Sequence, residues 1–448
     1  MQIYIPESLQ YLASKLNNKL YLVGGTVRDS LLGFKQSYDF DLASSILADE
    51  FCRIVTDCNM QIKALYKHTG TVQFTDGEFT YEYTTFRKDS YRHGEHKPAT
   101  VTFINDIEQD ALRRDFKCNA IYYDISQMEL CDPLDGQVDI KNKVLTTTRD
   151  AESVFEEDGL RLMRLARFAA ILGFEADLST IFAAKFNAAR IQNIAPERIF
   201  TELQAILHAD CKNNIPEAHY IGLKILEGID IFQYILPELA QGKEMMQNKN
   251  FHTHDVLEHS LRTCKYAHPS VRLAGLLHDI GKPKQKLETG KFHGHDQVGE
   301  KLVVEILTRL KAPNTIVEEC RQLTAMHMFD LEGNLSIEIL RKFFVEHYPL
   351  LQKLFYLRQA DFSAGKDDLS ICPTVLKWQS ILQEMQMEGV PFSLKELQID
   401  GNLIKPFVKD RKDIGILLNK LLTFCTSNGR RNTTEQLLQQ AKIFAKSL

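Results

Sequence analysis

The sequence predicts a small α/β head followed by a chain that is helical to its end, and three observations carry that prediction. Short alternating apolar patterns (Leu20 to Val23, His68 to Phe74, Tyr81 to Phe86) are separated by glycine-containing turns in the first third, as half-buried strands require. From about residue 146 the apolar spacing changes to the three- and four-residue recurrence of amphipathic helices. The 448 residues, 44% hydrophobic and 25% charged, suffice for about two to four domains, each with its own core.

Composition narrows the function classes. The N-terminal Met-Gln-Ile-Tyr-Ile-Pro-Glu lacks a basic region followed by an apolar run, and no apolar stretch approaches membrane-spanning length. Nine cysteines, an odd number without any C-x-x-C pair, read as reduced thiols of a soluble, cytoplasmic protein. No membrane partner is expected. The net charge of −5 is not that of a protein that coats nucleic acid, so any RNA contact must come from local basic patches.

The first element is the stretch Leu22-Val-Gly-Gly-Thr-Val-Arg-Asp-Ser-Leu-Leu-Gly33. An apolar strand runs into two glycines and then a helix. Gly24 and Gly25 remove Cβ where backbone N–H groups face an anion such as a triphosphate. Val27, Leu31 and Leu32 supply the buried helix face, and Gly33 ends it. Asp39 and Asp41 follow two apart in an extended segment, so both carboxylates project to one side while Phe40 and Leu42 enter the core. Two hard oxygen ligands on a rigid strand make a Mg²⁺ site with room for water and phosphate oxygens.

This stretch resembles the nucleotidyltransferase signature of the DNA polymerase beta superfamily. In its longer form it is similar to the bacterial class II tRNA nucleotidyltransferases (CCA-adding enzymes) and related poly(A) polymerases. The resemblance implies a polymerase-beta-like mixed sheet with helices as an α/β nucleotidyltransferase head, followed by an all-helical neck, body (with an HD domain) and tail. The boundaries expected are 1–145 for the head, 146–245 for the neck, 246–370 for the HD region and 371–448 for the tail.

Continuing through the head, a helix is expected over about Ser45 to Asn59. Glu82, in the strand Tyr81 to Phe86, is a candidate third carboxylate because superfamily members take that ligand from a neighbouring strand; read alone, it is equally a solvated strand residue. Arg87 to Lys97 is polar, glycine-containing and basic, and reads as a mobile loop. Relatives carry D-x-R-x-P there, whereas this chain has Gly94-Glu-His-Lys-Pro98, which leaves the nucleotide repertoire open. Arg113-Arg-Asp-Phe-Lys-Cys-Asn-Ala120 sets a carboxylate beside two guanidiniums with an amide four residues on. By itself that is also a surface salt-bridge cluster. It matches the family's ribose-binding motif R-R-D-F-x-x-N-A, which implies that Arg114, Asp115 and Asn119 hold the ribose. Asp132-Pro-Leu-Asp-Gly136 reads as a turn.

In the neck, Phe155 to Ala170 is expected as one helix. Asp158, Arg161 and Arg164 recur along one side of it, a spacing that by itself describes an i,i+3 salt bridge. Glu157-Asp158-x-x-Arg161 resembles the family motif E-D-x-x-R, which implies that Asp158 and Arg161 choose C and A over G and U. Pro196 to Glu202 reads as a helix start, either a brace or a substrate contact.

Behind the neck, His259 is followed by Leu273-Ala-Gly-Leu-Leu-His-Asp-Ile-Gly-Lys-Pro283, then His295, His327 and Asp361. Imidazoles and carboxylates on separate helices can converge on one or two divalent metals. The set resembles the HD phosphohydrolase superfamily, which implies His259, His278, Asp279 and Asp361 as ligands, with His295 and His327 added in two-metal members. His252, His254, His268 and His293 are read as structural or surface residues. The tail offers Lys405, Lys409, Arg411, Lys412, Arg430 and Arg431 as local positive charge without an assigned site.

The resemblance therefore implies transfer of CMP and AMP from CTP and ATP to the tRNA 3′ end by two-metal catalysis, with two Mg²⁺ ions at Asp39 and Asp41 and a further divalent metal, of unassigned identity, at the HD site. Gly24, Gly25 and Arg28 would take the triphosphate; no DNA partner is expected. The alternatives are an A-adding or CC-adding specialist, a poly(A) polymerase, or a phosphohydrolase acting through the HD site.

Overall fold

The computed structural model describes residues 3–16, 19–35, 38–90, 100–248, 253–408 and 410–446. The Gly94–Pro98 segment, His252 and Lys409 lie outside these residues. The contacts divide the chain into two units, one of Met1–Pro237 with Arg309–Lys311, the other of Glu238–Thr308 with Ala312–Leu448. No helix among the described residues is long and apolar enough to cross a membrane.

Unit 1 begins with a mixed sheet. Its strands in chain order are β1 (Tyr21–Val23), β2 (Asp39–Ser44), β3 (Gln61–Tyr66), β4 (Thr71–Thr75), β5 (Thr80–Thr85), β6 (Arg87–Ser90), β7 (Thr100–Phe103), β8 (Tyr122–Asp124) and β9 (Glu129–Cys131). Among the described residues seven of them make one sheet, in the order β3-β4-β5-β2-β1-β8-β9. The β2–β5 pair is parallel and the other pairs antiparallel. Alternation on β2 is as the sequence predicts: Phe40 and Leu42 are buried, while Asp39 and Asp41 share the opposite face. Phe40, Leu42, Phe51, Val55, Val72, Phe74 and Tyr83 belong to one apolar cluster behind that face, into which the Ala48–Asp57 helix packs.

Two expectations need correction here. The strand expected from His68 starts at Thr71, because the chain turns through 67–70 and Gly70 sits at φ +64°. The mobile loop expected from Arg87 is a strand at its start: β6 pairs antiparallel with β7, from Arg87 opposite Phe103 to Ser90 opposite Thr100. Polar side chains hid that strand, since a two-stranded ribbon needs little apolar alternation.

The rest of unit 1 is helical apart from the short Val144–Leu145 and Glu175–Ala176 pair. The expected single helix from Phe155 to Ala170 is two helices, Ala151–Glu157 and Leu160–Leu172. Asp158 is extended (φ −142°, ψ 102°) and its carboxylate accepts the Leu160 N–H at 2.9 Å. A Cβ on Gly159 would lie 2.5 Å from the Arg190 carbonyl oxygen, so close packing of a later segment requires glycine next to the break. Asp158 is therefore not on the helical face that carries Arg161 and Arg164.

Unit 2 is helical throughout its described residues. Val256–Tyr266, Arg272–Leu277, Asn314–Met326 and Tyr348–Lys366 surround its histidine cluster. Trp378, fully buried, donates to Asp330 at 2.9 Å and packs against Phe355 with ring centroids 5.3 Å apart. Leu397, Ile404, Leu417, Leu421, Leu437 and Ala441 form a separate apolar cluster in the tail.

Candidate active site

In unit 1 the strand ends, the turn at Gly24 and the Leu160–Leu172 helix enclose a cleft of about 710 Å³. It gathers Gly24, Gly25, Arg28, Asp39, Asp41, Arg114, Asp115, Asn119, Asp158, Arg161 and Arg164, residues that span 140 positions of sequence. Among the described residues nine arginine and lysine side chains line it against five carboxylates, so a chain of net charge −5 carries a locally cationic cleft suited to a triphosphate.

Gly24 adopts φ +79°, a left-handed conformation that favours glycine, and a Cβ there would lie 3.2 Å from Asp41 Oδ2. The glycine thus turns the chain and leaves the carboxylate uncovered. Thr26 locks the turn by donating to the Asp39 carbonyl at 2.6 Å. Asp41 lies opposite Glu82 in the parallel register, so both side chains with Asp39 are on one sheet face. Burial raises the Asp41 carboxyl to about 6, and the neighbouring Asp39 charge adds to that rise. Accumulated negative charge on a rigid strand is what a divalent cation relieves, so these residues fit a metal. Glu82 is exposed and accepts from Gln73 at 3.0 Å.

The Arg113 to Ala120 segment is arranged differently from a carboxylate held between its two flanking arginines. Asp115 accepts from its own Phe116 N–H (2.8 Å), from Asn119 Nδ2 (3.1 Å) and from Arg164 Nε (2.7 Å) on the neck helix. Burial opposes its charge, but Arg164 and the Asn119 amide outweigh burial and hold the carboxyl down at about 2. Arg113 and Arg114 turn instead to Asp110, which is fully buried and accepts from Arg113 Nε (2.7 Å), Arg114 Nη2 (3.2 Å), Tyr122 Oη (2.7 Å) and the Arg87 N–H (3.1 Å). Asp110 escaped sequence reasoning. Its three-residue spacing to Arg113 was the available signal, and it is common on surface helices.

Arg28 is buried, donating to Asp29 at 2.8 Å and to Asn119 Oδ1 at 2.6 Å, which links the glycine turn to the Asp115 segment. Arg161 donates to the carbonyls of Val154 (3.0 Å) and Arg113 (2.7 Å), bracing the helix break while lining the cleft. Glu202 accepts from Arg167 at 2.6 Å, so the Pro196–Leu207 helix braces the neck.

In unit 2 all six predicted residues converge. Among the described residues His259, His278 and Asp361 form one group with donor atoms within 4.8 Å of one another, and Asp279, His295 and His327 form another. Asp279 joins them: its Oδ2 is 3.2 Å from His278 Nε2 and its Oδ1 3.1 Å from His295 Nε2. His278, His295 and His327 each place Nδ1 on a backbone carbonyl (Gly275, Phe292, Thr324) at 2.6–2.9 Å. That bond puts the proton on Nδ1 and leaves the Nε2 lone pair for a metal. The donor set fits one or two divalent ions. Lys282 (2.6 Å from Asp279) and Arg358 (2.8 Å from Asp361) supply cations beside the carboxylates. Neither was singled out in the sequence. His254 approaches Asp367 at 3.5 Å, His268 stacks on Tyr356, and neither joins the cluster.

Comparison with known proteins follows the same division. Residues 20–146 match the poly A polymerase head domain, 173–243 the probable RNA and SrmB-binding site of polymerase A, and 256–369 the HD domain. The chain is 33% identical over 362 residues to an A-adding tRNA nucleotidyltransferase of Deinococcus radiodurans, covering 77% of this chain and 76% of that one. It is 39% identical over 227 residues to a CCA-adding enzyme of Geobacillus sp. (strain WCH70), covering 51% of this chain and about half (53%) of the relative. The fold is like that of the Bacillus stearothermophilus CCA-adding enzyme in complex with CTP (TM-score 0.69, 22% identity, 99% of each chain). It is also like that of the Thermotoga maritima CCA-adding enzyme complexed with tRNA (TM-score 0.62, 17% identity, 99% of this chain and 97% of that one).

Proposed function

This chain belongs to the bacterial tRNA nucleotidyltransferase and poly(A) polymerase family with a C-terminal HD domain, and from that premise we propose that it adds CMP and AMP, from CTP and ATP, to the 3′ end of tRNA, building or repairing C-C-A. The observation that carries the reading is the convergence, in one cationic cleft, of the glycine turn, the Asp39–Asp41 pair, the Asp115–Asn119 set and the neck arginines. The family depends on divalent metal; we assign Mg²⁺ to Asp39 and Asp41, with Glu82 beside them. When bound, the metal lowers the pKa of the attacking 3′ hydroxyl and shields the leaving pyrophosphate.

The chain's own residues do the rest. Gly24 and Gly25 let the triphosphate approach the backbone, and the cleft's arginines offset its charge. Asp115, kept ionised, accepts a ribose hydroxyl, with Asn119 and Arg164 bonded to it and Arg114, turned to Asp110, lining the same cleft. To Asp158 and Arg161, which both line the cleft, we assign the acceptor and the donor that read the base edge. The 3′ hydroxyl attacks the α-phosphorus in line, its oxygen bonding to phosphorus as the bond to pyrophosphate breaks. We place this work in the cytoplasm.

Extension of three tRNAs, ending at the discriminator base, at C-C and at C-C-A, with labelled CTP and ATP, tests the reading. Addition of C, C and A that then stops supports it. Extension of the C-C substrate alone makes the chain an A-adding specialist, a reading favoured by the Deinococcus radiodurans relative. No incorporation overturns both. For unit 2 the convergent histidine and aspartate groups support a metal-dependent phosphohydrolase, tested with 2′,3′-cyclic phosphates in an Asp39→Ala background.

A further inference from the structure

We propose that Phe168 is a positioning residue for the nucleotide, its ring gathering Arg28, Arg164 and Arg167 into one cationic wall of the cleft. The guanidinium carbons stand 5.2, 5.0 and 4.2 Å from the ring centroid, inside the roughly 6 Å reach of a cation–π contact. The ring is buried, and Phe116 meets it edge-on at 5.8 Å, so its place is set by packing.

Three like charges converging on one ring repel one another, and each loses hydration. Each is paired with a carboxylate: Arg28 with Asp29, Arg164 with Asp115 and Arg167 with Glu202. The one group all three share among the described contacts is the negative π-system of Phe168. The ring joins three parts of the cleft: the helix after the glycine turn, the Asp115–Asn119 set reached through Arg28 and Arg164, and the neck. An aliphatic side chain of similar volume fills the space and leaves the three cations without that attraction. They then relax apart, and the triphosphate meets a dispersed charge.

The inference rests on the nucleotide-transfer reading, so binding and turnover are measured separately. In the full chain, Phe168 is replaced by leucine, by tyrosine, and by mono-, di- and trifluorophenylalanine, which withdraw the ring's negative face at nearly constant shape. Dissociation constants for ATP and CTP and the KM and kcat for tRNA extension are recorded. Phe168→Leu is expected to raise Kd and KM on the order of tenfold with a smaller change in kcat, Phe168→Tyr to restore them, and the fluorinated series to raise Kd stepwise. A role in packing alone gives a flat fluorinated series, and that result overturns the proposal. If Phe168→Leu does not fold, the fluorinated series still decides. Nucleotide binding that follows fluorination in a protein that extends no tRNA overturns the transfer reading and leaves Phe168 standing; no nucleotide binding overturns both.

Discussion

Replacing Asp110 by asparagine removes one charge from a fully buried hub at constant shape. Oδ1 of Asp110 accepts from Arg113 Nε and the Arg87 N–H, and Oδ2 from Tyr122 Oη and Arg114 Nη2. An amide keeps one acceptor oxygen: an NH₂ turned to Arg113 and the Arg87 N–H loses two hydrogen bonds, and one turned to Tyr122 and Arg114 loses the Arg114 bond, since the tyrosine hydroxyl can accept. Charge-assisted bonds contribute about 1.5–3 kcal/mol each, and breaking a buried ion pair costs about 3–5 kcal/mol. Arg113 and Arg114 are 15% and 17% exposed, so water partly rescues them; the low end, about 3 kcal/mol, is expected. With an m value of about 3 kcal/mol per molar urea, the unit 1 midpoint falls by about 1 M. The chain has one tryptophan, Trp378, in unit 2. Its fluorescence follows unit 2, loss of nucleotide binding follows unit 1, and far-ultraviolet circular dichroism reports both. The pH dependence adds a second arm. Burial disfavours the Asp110 charge, but Arg113 and Arg114 outweigh it, so the folded carboxyl lies well below its unfolded value. Its stabilisation is complete above the ordinary carboxylate range near pH 4 and fades as pH falls towards the folded value. The gap between wild type and Asp110→Asn therefore narrows on acidification. Equal midpoints at pH 7, or a gap that widens in acid, would refute the reasoning.

Asp39→Ala and Asp41→Ala are each expected to abolish nucleotide addition with unchanged circular dichroism; activity retained by both, in protein stripped of metal and resupplied with Mg²⁺, removes the metal assignment. Arg161→Ala should narrow the kcat/KM preference for CTP and ATP over GTP and UTP, and an unchanged ratio counts against a base-reading role. Gly159→Ala forces a Cβ towards the Arg190 carbonyl and should destabilise unit 1 by about 1–3 kcal/mol in urea melts. Asp279→Asn removes the carboxylate that joins the two ligand groups of unit 2; metal content by mass spectrometry should fall while tRNA extension persists, and unchanged content refutes the bridging role.

By itself the sequence determined what depends on near neighbours. A strand, two glycines, a short helix and an alternating Asp-Phe-Asp can be read because backbone freedom, alternation and helical recurrence act over a few residues. The six histidines and aspartates of unit 2 were legible for another reason: the His278-Asp279 doublet and its companions resemble the HD superfamily, and spacing alone would not have joined residues 259 to 361 into one set. Tertiary structure alone decided which charges meet. Asp115 pairs with Arg164, 49 residues on, rather than with the arginines beside it. Arg113 and Arg114 serve Asp110, Phe168 sits against three cations, and the helix breaks at an extended Asp158 beside a Gly159 whose missing Cβ makes room for the Arg190 carbonyl. Charge pairing in a buried cleft is set by desolvation and distance, and both are known only when segments far apart in the chain have packed.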